Sequence, residues 1–252
     1  MSLEDLYFYF LLFWSSLAAV VFISLYFRDA PYGRFIDLNS SVSVSARTGW
    51  VVMESPTILG VIVFFIIFQE SINLAEIVLS IIWLSHYLHR TLIWPFRAKL
   101  KGKHMSVLVI FMATLFNVVN VCLQFSWIFI FSNFIEDLLA SKYFYIGLVI
   151  FYLGMFINIK SDNILMKLRE VNGEGYHTPK GFLYKYVSCP NYFGELVEWL
   201  GWAVLTMSPS GFVFFIWTFA NLVPRAKSNL EWSKSNIKNY PETRKSIIPF
   251  VY

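Results

Sequence analysis

Apolar residues gather in seven blocks with short polar stretches between them, roughly 6–27, 49–69, 73–95, 105–132, 143–160, 195–208 and 210–224. A bilayer core is crossed by about 20 apolar residues of helix, and the first five blocks meet or approach that length. The fourth is longer than needed, which a tilt would absorb. The last two are short. Ser208-Pro209-Ser210-Gly211 joins them, so they read as a tilted pair or a re-entrant hairpin. The pattern predicts an all-α fold: one polytopic integral membrane domain over 1–252 with seven transmembrane helices.

The charges between the blocks test this. Basic residues collect on the cytoplasmic side of membrane proteins. The first loop has Arg28, Arg34 and Arg47, and the third has Arg97, Lys99, Lys101 and Lys103. The fifth has Lys167, Arg169, Lys180 and Lys185, and the tail has Arg225, Lys227, Lys234, Lys238, Arg244 and Lys245. The alternate turns, around 70–73, 133–142 and 208–211, hold Lys142 as their single basic residue. This alternation expects the N-terminus outside and the C-terminus in the cytoplasm, in a bacterial inner membrane or the endoplasmic reticulum. Glu4 and Asp5 precede the first block, which reads as a retained helix and not as a cleaved signal peptide.

Composition agrees: 57% of residues are hydrophobic and 14% charged, against about 25% charged in soluble domains. Cys122 and Cys189 give no disulfide framework. The longest connection, 161–191, interleaves Gly173, Gly175 and Gly181 with Tyr176, Tyr184 and Tyr186. So aromatic a loop reads as functional. The chain ends on an apolar hexapeptide, 247–252, which is expected to dock.

Ionisable groups inside the blocks mark function. Glu54 stands in Trp50-Val51-Val52-Met53-Glu54-Ser55-Pro56, where a carboxylate costs about 2.5–3.5 kcal/mol to insert. Pro56 suggests a local break that frees carbonyls. In the third block His86, His89 and Arg90 share a helix face, and Tyr87 points about 100° away. Arg90 beside the histidines disfavours a metal, and no metal is expected. Asn117, Asn120 and Gln124 form a polar stripe suited to interhelical hydrogen bonding or to ligand contact. Asn158 and Asp162 share one face, Asn191, Glu195 and Glu198 another, and Arg225, Asn229 and Ser233 a third. Three such rows beside a basic, Gly/Tyr-rich loop suggest a pocket for a polar, anionic ligand. Neither GxGxxG nor GxxxxGK[ST] is present. The residues alone do not name a reaction.

Three stretches resemble the steroid 5α-reductase family, the 3-oxo-5α-steroid 4-dehydrogenases. They are His86-Tyr87-Leu88-His89-Arg90-Thr91, Gly154-Met155-Phe156-Ile157-Asn158-Ile159-Lys160-Ser161-Asp162 and Asn191-Tyr192-Phe193-Gly194-Glu195-Leu196-Val197-Glu198-Trp199. The endings Asn239-Tyr240-Pro241 and Ile248-Pro249-Phe250 fit as well. The resemblance implies a membrane reductase that takes NADPH from the cytoplasm and a steroid or sterol-like lipid from the bilayer. The sequence does not set the oligomeric state; a monomer is expected. Hydride would go to C5 of a 3-oxo-Δ4 enone and a proton to C4. Glu54 and Tyr87 would meet the 3-oxo group, with Glu54 working protonated. The first four segments would form mainly the substrate side. The last three, with loop 161–191 and tail 225–252, would form mainly the cofactor side. Cofactor contacts are implied at Asn158, Asp162, Arg169, Tyr176, Asn191, Glu195, Trp199, Arg225, Asn229 and Ser233, with Lys101 and Lys103 on phosphates. Family-typical residues differ at Met53 (Gln), His177 (Arg), Asn229 (His) and Ser233 (Tyr).

Two further readings remain at this stage. The Pro-Asn-Tyr-Phe-Gly-Glu stretch is similar in membrane methyltransferases that use S-adenosylmethionine, and the substrate could be another lipid enone. Glu54 and the His-Tyr-x-x-Arg stretch favour a reductase, because methyl transfer needs no buried donor to a developing oxyanion. A transporter lacks support, because no paired repeats occur. Nucleic acid is not an expected partner; membrane lipid is.

Overall fold

The computed structural model describes residues 1–28, 42–132, 135–173 and 175–252. Arg34 of the first basic loop and Asn133 of the turn before Lys142 lie outside them. The elements are α1 (Leu3–Phe27), β1 (Ser43–Ser45), α2 (Ala46–Ile67), α3 (Leu74–Leu88), α4 (Trp94–Arg97), β2 (His104–Ser106), α5 (Val107–Ser126), α6 (Ile135–Leu138), α7 (Lys142–Asn172), α8 (Pro190–Thr206) and α9 (Pro209–Asn236). Among the described residues, four helical stretches are long and apolar enough to cross a membrane: Leu3–Phe27, Ala46–Ile67, Val107–Phe131 and Lys142–Asn172. The chain divides into two compact units, Met1–Asp29 with Lys142–Tyr252, and Ala30–Ser141.

In the first unit, α1 opens with a capping box in which Ser2 and Asp5 satisfy each other's backbone N–H groups. Leu3, Leu6, Leu12 and Phe13 are exposed, as suits a helix facing lipid. Its other side packs on α9, with Trp14 against Trp217 at 4.9 Å and Phe22 against Phe219 at 6.0 Å. Helices α7 and α8 touch through glycine. A Cβ at Gly147 or Gly154 would fall on the backbone of Leu205 or Glu198, and one at Gly194 or Gly201 on Asn158 or Phe151. The glycines recur at seven-residue spacing on both helices, so small residues line one continuous seam and the backbones meet. The turn after α8 has the expected form. Pro209 starts α9 and the Ser208 hydroxyl caps it, accepting from the Gly211 N–H at 2.9 Å.

The apolar end of the chain does dock. Ile247 is fully buried in a cluster with Cys189, Leu196, Leu222, Val223 and Ala226. Lys245 bridges in parallel to Val187, and its N–H donates to the Tyr186 carbonyl.

In the second unit, β1 and β2 form a short antiparallel ribbon that pairs Val44 with Met105, so the fold is not purely helical. Helix α2 runs unbroken through Pro56, against the expected local break. Proline removes the N–H that the Val52 carbonyl would accept; the Ser55 hydroxyl donates to that carbonyl instead, at 2.9 Å. Beyond α3 a π-helical turn covers His89–Ile93 and leads into α4, with Pro95 in its first turn. Here the Trp94 N–H reaches back five residues to His89, next to a proline that has no N–H to donate.

Three helix ends run five or more residues past the apolar blocks. Helix α7 continues to Asn172, α8 begins at Pro190, and α9 runs on to Asn236. Apolar runs mark the depth of a segment in lipid; a helix needs only a buried face to continue beyond it. The connection 161–191 thus shortens, and Asn229 and Ser233 lie on a helix, not in a polar tail.

Candidate active site

The glycine seam sets the first part of the site. Where α7 and α8 lie in backbone contact, their polar rows join. The Asn158 amide donates to the Asn191 carbonyl at 3.0 Å and to Glu195 Oε1 at 3.1 Å. The Asn191 amide donates to Asp162 Oδ1 at 3.1 Å. Both amide nitrogens face only acceptors, which fixes the orientation of each side chain. Asn158 and Asp162 are 5% and 6% exposed, and Asn191 and Glu195 are half-buried. The row is therefore a held ladder with one accessible edge. Tyr184, in the loop behind it, donates to the Ser161 carbonyl at 3.3 Å. Burial, and then the nearby Asp162, push its phenol well above the ordinary range, so it remains a neutral donor.

Of the other residues expected here, Trp199 sits between Phe214 at 4.4 Å and Phe151 at 6.0 Å, an aromatic wall one turn along α8 from Glu195. Glu198 is fully buried, its backbone against Gly154. Arg169 lies in the last turn of α7. Arg225 donates to Asn221 Oδ1 at 3.1 Å and lies over the Tyr192 ring at 5.6 Å. Tyr176 meets Trp232 edge-on at 4.5 Å. Trp232 neighbours Ser233 and lies on the α9 stretch that bears Asn229, so the aromatic loop meets α9 in that stretch. Sequence reasoning passed over Trp232, although its place between two candidate residues was a visible signal.

The second unit carries the other candidates. Glu54 on α2 is half-buried. Its carboxyl Oε2 accepts from the Asn117 amide of α5 at 3.2 Å. Tyr87 on α3 is 3% exposed, packed on Trp83 at 4.6 Å and His86 at 4.9 Å. The π-helical turn begins just beyond it. Arg90 lies over the rings of Trp50 and Trp94, at 4.5 and 5.0 Å, so its charge is held by aromatic faces. Lys101 and Lys103 are exposed and, with Arg47 and His104, line a cavity of about 430 Å³ beside the ribbon. Four groups able to carry positive charge around one hollow suit phosphate. Arg47 was visible as a basic residue, but only pairing of β1 with β2 brings it to this hollow.

The donor set of the first unit suits a nicotinamide dinucleotide. A carboxamide needs an acceptor and a donor, which Glu195 and the second amide hydrogen of Asn191 can offer, since both hydrogens of Asn158 are already taken within the ladder. Phosphates need cations such as Arg169 and Arg225, and a base needs an aromatic face such as Tyr176.

Comparison with known proteins gives one consistent result. The family model described as 3-oxo-5-alpha-steroid 4-dehydrogenase matches residues 103–252. The chain is similar to the steroid 5-alpha-reductase DET2 of Arabidopsis thaliana, with 40% identity over 91% of this chain and 90% of the relative. It is similar to the 3-oxo-5-alpha-steroid 4-dehydrogenase 1 of Rattus norvegicus, with 37% identity over 93% and 91%. The Homo sapiens protein of that name is 36% identical over 89% and 87%.

Proposed function

The chain belongs to the 3-oxo-5-alpha-steroid 4-dehydrogenase family, oxidoreductases that act on a CH–CH group, and from that premise we propose that it reduces the Δ4 double bond of 3-oxo-Δ4 steroids to 5α-dihydrosteroids with NADPH. The observation that carries the cofactor half is the ladder joining Asn158, Asp162, Asn191 and Glu195. Glu195 accepts from the carboxamide, and Asn158 holds Glu195 in place. Arg169 and Arg225 balance phosphate charge; Lys101 and Lys103, on the other unit, are assigned to the cofactor phosphates by the family resemblance alone. Tyr176, braced by Trp232, covers the base, while Asn229 and Ser233 offer hydrogen bonds from the same stretch of α9. Trp199 closes the inner end with an apolar wall. NADPH, when bound, supplies the hydride that C5 accepts.

Tyr87 and Glu54 answer the charge that develops on the 3-oxo oxygen. A phenol and a protonated carboxyl group hydrogen-bond more strongly to an oxyanion than to a ketone, so they favour the transition state over the bound substrate. Apolar surroundings strengthen both bonds. The chain lies in the membrane with its cofactor residues toward the cytoplasm, and the steroid arrives from the lipid.

Replacing Tyr87 with Phe tests the assignment. Turnover is expected to fall about a hundredfold or more while NADPH affinity stays within about twofold. Unchanged turnover removes Tyr87 from the mechanism.

A further inference from the structure

Asn117 is 7% exposed and lies on α5 opposite the Glu54 turn of α2. Its amide nitrogen has two hydrogens and two acceptors in reach: the Met53 carbonyl at 2.6 Å and Glu54 Oε2 at 3.2 Å. Both facing groups accept, so the nitrogen of the amide, not its oxygen, must point at α2. The same turn of α2 is held again on either side. The Thr57 hydroxyl donates to the Glu54 carbonyl at 2.6 Å, and the Trp83 indole donates to the Thr57 carbonyl at 3.2 Å. Backbone and carboxyl group are thus fixed together, and Asn117 holds the carboxyl group at Oε2.

This has a chemical consequence. An oxygen that accepts an N–H cannot carry its own proton toward the same donor. The carbonyl oxygen is the better acceptor of a carboxylic acid, so the N–H of Asn117 at Oε2 favours placing the proton on Oε1. We infer that Asn117 is a positioning residue for Glu54: it holds Oε2 as an acceptor and so turns the acidic O–H of Oε1 to the reacting oxygen of the substrate. The inference rests on the proposed role of Glu54 as a protonated donor. It deepens that role by naming the residue that sets which oxygen carries the hydrogen. No proton is transferred to Asn117; it acts through Glu54 alone.

The test replaces Asn117 with Leu, close in volume and without a donor, and with Ala, which fits any packing. Steady-state turnover is measured at varied NADPH and steroid. The infrared carbonyl band that disappears in Glu54→Gln is followed in parallel. The expected result is a fall in kcat of about ten- to a hundredfold, as for a misplaced catalytic group, with the KM for NADPH within about twofold. The Glu54 carbonyl band moves to higher wavenumber, because its oxygen has lost a hydrogen bond. Wild-type kcat in both variants, a lowered kcat with an unmoved band, or loss of fold in both overturns the inference. If Glu54→Gln itself keeps wild-type turnover, the parent reading of Glu54 fails. If Glu54→Gln is inactive while Asn117→Leu is as active as wild type, this inference alone fails.

Discussion

Glu195 gives the clearest case of a single group set by its neighbours. Its Oε1 accepts from Asn158, which also holds the Asn191 carbonyl. A Glu195→Gln change replaces one acceptor oxygen by a donor. NADPH affinity is expected to weaken about tenfold, the cost of one charged hydrogen bond, and cofactor titration by fluorescence checks it. At the same scale Trp232→Ala frees the ring of Tyr176 and should also weaken NADPH binding, with little effect on steroid affinity in the same titrations. Much at this scale was legible. The spacings of Asn158 with Asp162 and of Asn191 with Glu195 announced shared faces; that the two rows hydrogen-bond to each other shows only in the packing of α7 on α8. What was not legible was reach. Glu198 shares the face of Glu195 by spacing, yet it is fully buried with its backbone against Gly154, because the depth of contact between two helices depends on both. Asn117 was visible as polar, but its partner lies 63 residues away and only the packing of α2 on α5 reveals it.

Among the elements, the α7–α8 pair carries the most consequence. Its glycine seam places the polar ladder, so a side chain there should damage stability and cofactor binding together. Gly154→Val is expected to destabilise by about 1–3 kcal/mol or more, lowering the thermal midpoint in detergent by about 5 °C or more. NADPH affinity should fall with it. A midpoint within one degree of wild type would show that the seam yields and does not set the geometry. The seven-residue recurrence of Gly147 with Gly154 and of Gly194 with Gly201 was present in the sequence, but only as glycines scattered through apolar runs. The helix ends of α7, α8 and α9 were misjudged for one reason: the blocks were bounded by polarity, whereas these helices continue on a buried face past the last apolar run. Pro56 was misjudged because a neighbouring serine can satisfy the carbonyl that proline leaves bare.

At the scale of the molecule, the chain holds two units, one with the proposed cofactor residues of α7, α8 and α9 and one with Glu54 and Tyr87. The C-terminal residues belong to the architecture of the first unit. Ile247→Ala should destabilise by about 2–5 kcal/mol, read as an earlier midpoint in a thermal melt. NADPH at a hundred times its Kd should stabilise by about 2.7 kcal/mol. Membership in an oxidoreductase family sets the methyltransferase alternative aside. The identity of the lipid enone rests on chemistry that the purified protein can report. With NADPH and testosterone or progesterone, absorbance at 340 nm is followed and the product is analysed. The account predicts steroid-dependent loss of NADPH and a 5α-dihydro product in equal amount. NADPH that is neither bound nor consumed, or consumed without a 5α-dihydrosteroid, would contradict it.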